Sequence, residues 1–422
     1  MSLFLNLIVK NKYLFIILFL NFITRIVVVF FYGDKTFSAT DANEWGVIYE
    51  NLKNFGTMSW FQHDEFRYPT FFMPPLYIFY IYSLSVFQTS FDITIILFSQ
   101  CMLAIISAYV FYKICNLYFS LKLSLVALTI FCFYPIYVYA SSQISSINLV
   151  ILINLFFIYT ILYNKKYYLI GILGGLGLLV RGEFILLYLF SLLYLIIIKK
   201  YKLKELILSL LISIIIISPY LYRNYITFNK IVITNSTGYV LWRGNNILSS
   251  VDSIYADMKI QEIEPGVDSK YLFENKELLK INQKLTKIKF NKNYEALRDK
   301  IFYDQAISNI TNDPKKYFYL YIKKFLSFLF FNPSSEYPNY YNPLSLLPEI
   351  IISFTAFLGI LIKLKAFKTF NYLYLYLFYN LAIYSFFLIL PRYKIIIIPI
   401  LIIFMISFLK NIFTFFLKKK SI

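Results

Sequence analysis

Runs of apolar side chains long enough to cross a lipid bilayer recur from one end of this 422-residue chain to the other. In lipid every backbone N–H and C=O must be paired within the spanning element, and a helix of about 20 residues does this across the hydrocarbon core. "YLFIILFLNFITRIVVVFF" (residues 13–31), "ELILSLLISIIIISPYLY" (205–222) and "IIIIPILIIFMISFL" (395–409) are of this kind. With 59% of residues hydrophobic, an ordinary soluble fold is excluded. The pattern predicts an all-α polytopic membrane protein, a bundle of about 10–12 transmembrane helices. Two apolar stretches, 76–87 and 318–331, are too short for full spans and leave the number open.

Charge orients the chain. The formal net charge is +19, but the lysines punctuate the apolar runs: Lys10 and Lys12, Lys113 and Lys122, Lys165 and Lys166, and the clusters at 199–204, 363–368 and 418–420. Basic residues in short loops mark the cytoplasmic face, where anionic lipid attracts them. The positive balance therefore implies membrane lipid as a partner and no nucleic acid. With those clusters inside, residues 1–222 form an N-terminal transmembrane module with a first outer loop at 32–75. Residues 223–317 form an outer segment, and 318–422 a C-terminal transmembrane module. The outer segment is short enough for a small helical cap only.

The three cysteines, Cys101, Cys115 and Cys132, lie in or beside apolar spans without metal-ligand spacing. No metal and no cofactor is expected. The first run is too long for the core of a cleavable signal, so it is expected to be retained. His63, the single histidine, stands beside Asp64 and Glu65 in "FQHDEFRYP", which suits a solvated loop or a small metal site. "GILGGLGLLVRG" has small-residue spacing, which favours close helix packing.

The first outer loop carries the most chemistry. In "TDANEWGVIYENLKNFG" (40–56), Trp45, Ile48, Tyr49 and Leu52 recur at helical spacing and Gly56 offers a stop. The stretch predicts an amphipathic helix, its apolar side resting on the outer membrane surface. Asp41 leads it, with Glu44 three residues on. That spacing suits a helix cap, in which Asp41 satisfies free N–H groups, as well as a carboxylate held for chemistry at the lipid–water boundary. Beyond it lie Pro74, Pro75 and Tyr77, then Arg181 and Glu183 at an outer tip. Arg223–Asn224 follow the next exit, and "LPRYK" places Arg392, Tyr393 and Lys394 at a late outer turn. Arg25 interrupts the first span. Charged groups inside spans are costly and tend to be functional or to snorkel.

Taken in order, these stretches resemble the lipid-linked-sugar glycosyltransferases of the GT-C class. Within it they are similar to the branch of protein mannosyltransferase-like and aminoarabinose-transferase-like enzymes. The resemblance rests on Asp41 with "YENLKNFG", on "PPLY", on "GILGGLGLLVRGE", on Arg223–Asn224, on the "RGNN" of residues 243–246, and on Arg392–Tyr393. Ala42 stands after Asp41 where many members carry a second acid. The soluble C-terminal domain of some branches is not expected here.

The resemblance implies a GT-C-like bundle in the plasma (inner) membrane, with its active site facing the periplasm or exterior. It implies transfer of a sugar from a polyprenyl-phosphate carrier to a lipid, glycan or protein acceptor, usually with inversion. Asp41 would be the general base, with Arg181, Arg223, Arg392 and Lys394 on the donor phosphate. Glu44, Tyr77, Glu183, Asn224, Arg243, Asn245 and Tyr393 would support them. The chemistry asks for such groups: an acceptor hydroxyl needs a base, and a departing phosphate needs fixed cations. A flippase for lipid-linked sugars and a polysaccharide polymerase are the rival functions. The first would require internal pseudo-symmetry, which the chain lacks, and the second would not require the Asp41 helix.

Overall fold

The computed structural model describes residues 12–33, 40–63, 66–86, 92–163, 166–253, 276–337 and 339–419, with the side chains of 40–43, 61–63, 66 and 415–419 left aside. It is a helical, multi-pass membrane architecture. Four apolar stretches have spanning length: α1 (Lys12–Tyr32), Ile93–Cys115, Leu203–Phe228 and the 42-residue Pro343–Tyr384. Five shorter apolar helices lie between or after them, over Pro75–Val86, Ile147–Tyr163, Tyr167–Val180, Phe184–Ile197 and Ile398–Thr414. A count of 10 to 12 spans requires those shorter helices to cross as well.

After α1 come α2 (Thr40–Phe55), a two-stranded antiparallel hairpin of β1 (Ser59–His63) and β2 (Phe66–Pro69), and then α3 (Pro75–Ser83). The sequence reading placed the helix correctly but not the hairpin. It also laid the apolar side of α2 on lipid. In the structure Trp45, Ile48 and Tyr49 are buried in one cluster with Tyr77, Ile78, Ile81, Ile96, Leu97 and Tyr220, so that face packs on protein. Burying it against other helices keeps apolar area from water while fixing the helix in orientation, which a fluid surface would not do.

Next come α4 (Ile93–Cys115), α5 (Leu121–Cys132), α6 (Pro135–Tyr139) and α7 (Ile147–Tyr163). Asp92 caps α4, its Oδ1 accepting from the amides of Thr94 (2.8 Å) and Ile95 (3.3 Å). The apolar stretch 121–140 is broken by 57° between α5 and the segment Pro135–Ser142. Pro135 has no N–H to give and its ring disfavours a helical residue before it, so one helix ends and another starts there. Arg25 of α1 clasps this elbow. Fully buried, it donates through Nε to Asn21 Oδ1 (2.9 Å) and through Nη1 to the Tyr137 carbonyl (2.8 Å) and Ser141 Oγ (2.5 Å). Its guanidinium also lies 4.1 Å from the Tyr137 ring centroid. Arg25 therefore does not snorkel.

α8 (Tyr167–Val180), α9 (Phe184–Ile197) and α10 (Leu203–Phe228) complete the N-terminal half. The glycine run behaves as read. A Cβ on Gly171 would sit 2.5 Å from the Ser209 carbonyl oxygen, and one on Gly175 2.8 Å from Ile216 Cβ. Only glycine allows α8 to lie this close to α10. α10 continues to Phe228, six residues beyond the expected exit at 222, and is capped by Asn229 in the left-handed conformation (φ 55°).

Among the described residues of 229–312, α11 (Thr237–Gly244), α12 (Lys276–Leu285) and α13 (Tyr294–Asn312) pack around Trp242, Leu278, Ile281, Leu285, Phe302 and Ala306. α14 (Pro314–Leu329), α15 (Pro343–Lys363), α16 (Phe367–Tyr384), α17 (Pro391–Lys394) and α18 (Ile398–Lys419) follow.

Candidate active site

α2 is held from below and behind. The Tyr77 ring of α3 stands edge-on to Trp45 of α2 (centroids 4.9 Å, 77°), and its hydroxyl donates to Gln100 Oε1 of α4 (3.0 Å). Asn51 Nδ2 donates to the Ser59 carbonyl (3.0 Å), and Arg67 Nε donates to Asn51 Oδ1 (3.1 Å), tying the hairpin to the same helix. The helix that begins at Thr40 is thus a fixed platform. Asp41 falls in its first turn by backbone, while its side chain lies outside the described residues, as do the His63 side chain, Asp64 and Glu65. Glu44 is half-buried on the same turn.

The second group assembles where α8 ends. Arg181 terminates α8 in an extended conformation (φ −152°, ψ 116°), and Glu183 precedes α9. Arg181 Nη1 lies 3.4 Å from Glu183 Oε1, which also accepts from the Tyr384 hydroxyl (3.0 Å). The Tyr379 hydroxyl donates to the Glu183 carbonyl. From the far end of the chain, the α17 turn brings in Arg392 and Tyr393. The Arg181 guanidinium is 5.3 Å from the Tyr393 ring centroid and that of Arg392 is 5.7 Å from it. The two cations are near enough for each to feel the other. Arg181 Nε is buried and has no hydrogen-bond partner among the described residues. Two arginines crowded at one ring, with an N–H unanswered, are arranged for an anion with several acceptor oxygens.

Lys394 follows Arg392 by two residues and faces elsewhere. Its Nζ is buried against Glu349 Oε1 of α15 (2.8 Å) and the Phe330 carbonyl. The helical turn sends alternate members of "RYK" to different sides. Lys394 therefore anchors the turn on the core, and only Arg392 is left beside Arg181.

Arg223 and Asn224 belong to a third group, at the root of the first loop. Arg223 Nη1 donates to the Thr70 carbonyl (2.8 Å) and to Asn224 Oδ1 (2.8 Å), and Asn224 Nδ2 donates to the Val232 carbonyl (2.7 Å). Opposite stands Glu295 of α13, which sequence reasoning missed. Its Oε1 accepts from the Thr70 hydroxyl (2.6 Å) and its Oε2 from the Phe71 amide (3.1 Å). Burial pushes its carboxyl above the ordinary value, against the pull of those hydrogen bonds and of Arg298 and Arg223. One turn on, Asp299 is also raised by burial while accepting from the amides of Gly238 (3.1 Å) and Tyr239 (2.8 Å). No local signal marks Glu295 in the sequence, because Thr70 and Phe71, the hydrogen-bond donors to its carboxylate, lie more than 200 residues away.

"RGNN" works as a clamp. Asn245 Nδ2 donates to the carbonyls of Leu241 (2.8 Å) and Phe386 (2.7 Å), and Asn309 Nδ2 donates to the Asn245 carbonyl (3.1 Å). Gly244 lies so close to Phe387 that an added Cβ would meet its carbonyl oxygen at 2.4 Å. The buried ammonium of Lys324 donates to the Gly244 carbonyl (2.6 Å). Arg243 stacks on Tyr239, 5.7 Å from the ring centroid. The motif thus fastens α11 to the turn and irregular stretch leading into Pro391 and Arg392, a link completed by the Ile389 amide on the Val251 carbonyl (3.0 Å).

Comparison with known proteins bears on the middle of this assembly. No curated protein and no solved structure matches the chain. Residues 73–222, about a third of the chain, match the family model described as dolichyl-phosphate-mannose-protein mannosyltransferase. The matched segment contains Pro74, Pro75, Tyr77, Arg181 and Glu183; Asp41, Arg223, "RGNN" and Arg392 lie outside it. Over that segment, then, the GT-C resemblance read from the residues stands, and what the chain is similar to there is the dolichyl-phosphate-mannose-protein mannosyltransferase family.

Proposed function

We propose that this protein is a membrane glycosyltransferase that moves a sugar from a polyprenyl-phosphate carrier to an acceptor hydroxyl at the outer face. The acceptor oxygen attacks the anomeric carbon from the side opposite the phosphate. Its proton passes to the Asp41 carboxylate as the bond forms. The bond between the anomeric carbon and the phosphate oxygen breaks, the electron pair leaves on that oxygen, and the configuration inverts. Arg181 and Arg392 meet the growing negative charge, and Tyr393 keeps the two guanidinium groups facing one point. Fixed donors of this kind stabilise the transition state without reorganising during the step.

One observation carries the reading: Arg181, inside the family-matched segment, and Arg392, far outside it, converge on a single ring with an N–H left unpaired. A flippase moves its lipid unchanged and needs no general base, whereas transfer to a hydroxyl does. The deciding experiment supplies vesicles holding the purified protein with polyprenyl-phosphate-sugar and acceptor glycolipids. Asp41→Asn is expected to abolish transfer while the protein still inserts and folds. Near-normal turnover in that variant would remove Asp41 from the mechanism, and movement of unchanged donor lipid would indicate a flippase.

A further inference from the structure

α13 has two differently used faces. Glu295, Arg298, Phe302 and Ala306 are buried, on the side that meets the first loop and α11. Leu297, Lys300, Ile301 and Asp304, spaced at i, i+3, i+4 and i+7, line the other side and open onto a groove of about 660 Å³. The end of α12 and the turn after it supply the opposite wall, with Lys284, Lys287 and Lys289 beside Ile288. Among the described residues, four lysines therefore surround one concavity with a single carboxylate, Asp304, among them. All four are exposed on the rim, while Ile288 and Ile301 are half-buried in the floor.

Gathering like charges around a hollow costs repulsion that a bound anion relieves, and a basic concavity focuses field onto whatever enters. Ile288 and Ile301 make the floor apolar, suited to the C–H face of a pyranose ring, while lysine ammonium groups on flexible stems reach carboxylate or phosphate substituents at the ring edge. A bilayer surface cannot enter a concave groove, so a chain of sugars fits where a lipid face does not. We infer that this groove binds an anionic saccharide, a uronate or sugar-phosphate unit of an extended acceptor glycan. The inference deepens the transferase reading and rests on it for its meaning, but the site is tested by binding alone.

Full-length protein in neutral-lipid nanodiscs would be titrated with trigalacturonic acid, with maltotriose as the uncharged control of equal length, and with phosphatidylglycerol vesicles as competitor. Trigalacturonic acid is expected to bind, more weakly as salt rises, and maltotriose to show no binding. Lys284→Glu with Lys300→Glu is expected to weaken binding by roughly tenfold or more, with an unchanged melting temperature because both residues are exposed. Asp41→Asn protein is expected to bind like the native chain, so loss of turnover and loss of this site are separately visible. Equal binding by the double variant, equal binding of maltotriose, or no binding of trigalacturonic acid would overturn the inference. So would capture of the vesicles that trigalacturonic acid fails to displace, which would assign the groove to lipid.

Discussion

Arg181 and Arg392 come from opposite halves of the chain and share one aromatic neighbour, their guanidinium carbons 5.3 and 5.7 Å from the ring centroid of Tyr393. Two like charges are kept together by what lies behind them. Glu183 balances Arg181 on one side, and Lys394, locked to Glu349, fixes the turn that carries Arg392.

If the pair grips the donor phosphate, each arginine contributes a charge-assisted hydrogen bond of about 1.5–3 kcal/mol. Arg392→Ala and Arg181→Ala should each lower kcat/KM for the donor by roughly ten- to a hundredfold, with kcat falling because the pair meets charge that grows in the transition state. The double variant should lose less than the product of the two, because both act on one group. Steady-state kinetics with varied polyprenyl-phosphate-sugar measure this.

Removing one member of the Glu349–Lys394 pair leaves the other charge buried and alone. Glu349→Ala is expected to cost about 3–5 kcal/mol and to loosen the Arg392 turn, whereas Glu349→Leu with Lys394→Met should recover much of that stability. Thermal unfolding in detergent compares the three proteins. A double variant that is stable yet impaired in donor use would place the role of the pair in orientation.

Gly244→Ala forces a methyl group against the Phe387 backbone, where little can yield. Overpacking of this kind costs about 1–3 kcal/mol, and here it pushes on the segment that ends in Arg392. A lowered melting temperature together with a raised donor KM is the expected result.

The Glu295 carboxyl holds its proton more tightly in the folded state than an ordinary carboxylate does, because burial outweighs its hydrogen bonds and neighbouring arginines. Its contribution is therefore fully present below the ordinary carboxylate value and fades as pH rises through the raised one. Hydrogen-exchange protection of the Phe71 amide, corrected for intrinsic rate, should fall over that interval. Glu295→Gln should flatten the dependence, and Glu295→Ala should cost about 1–3 kcal/mol at any pH by leaving Thr70 and Phe71 without their acceptor.

What could be read from the chain was what depends on near neighbours. The apolar runs, the three- and four-residue spacing of Trp45, Ile48, Tyr49 and Leu52, and the glycines of α8 each announce their element locally. Pro135 also announces a break, yet the apolar character of 121–140 continues across it and hides the bend. Glu295 could not be recognised, since its meaning comes from Thr70 and Arg223. Lys394 reads like Arg392 in sequence; only the turn of α17 sends one to Glu349 and leaves the other beside Arg181. The hairpin at 59–69 carries no Asn-Gly or Asp-Gly turn to mark it.

The hydrogen bond from Thr70 to Glu295 spans 225 positions. During synthesis Thr70 is made early, yet the carboxylate that accepts from it emerges only after α10 and about three-quarters of the segment 223–317 have followed. Until then the Thr70 hydroxyl and the Phe71 amide lack the carboxylate that accepts from both in the folded protein. Fastening of the Thr70–Phe71 turn is thereby tied to completion of later elements, and a chain stalled on the ribosome before residue 295 would carry α2 and its hairpin without their link to α13.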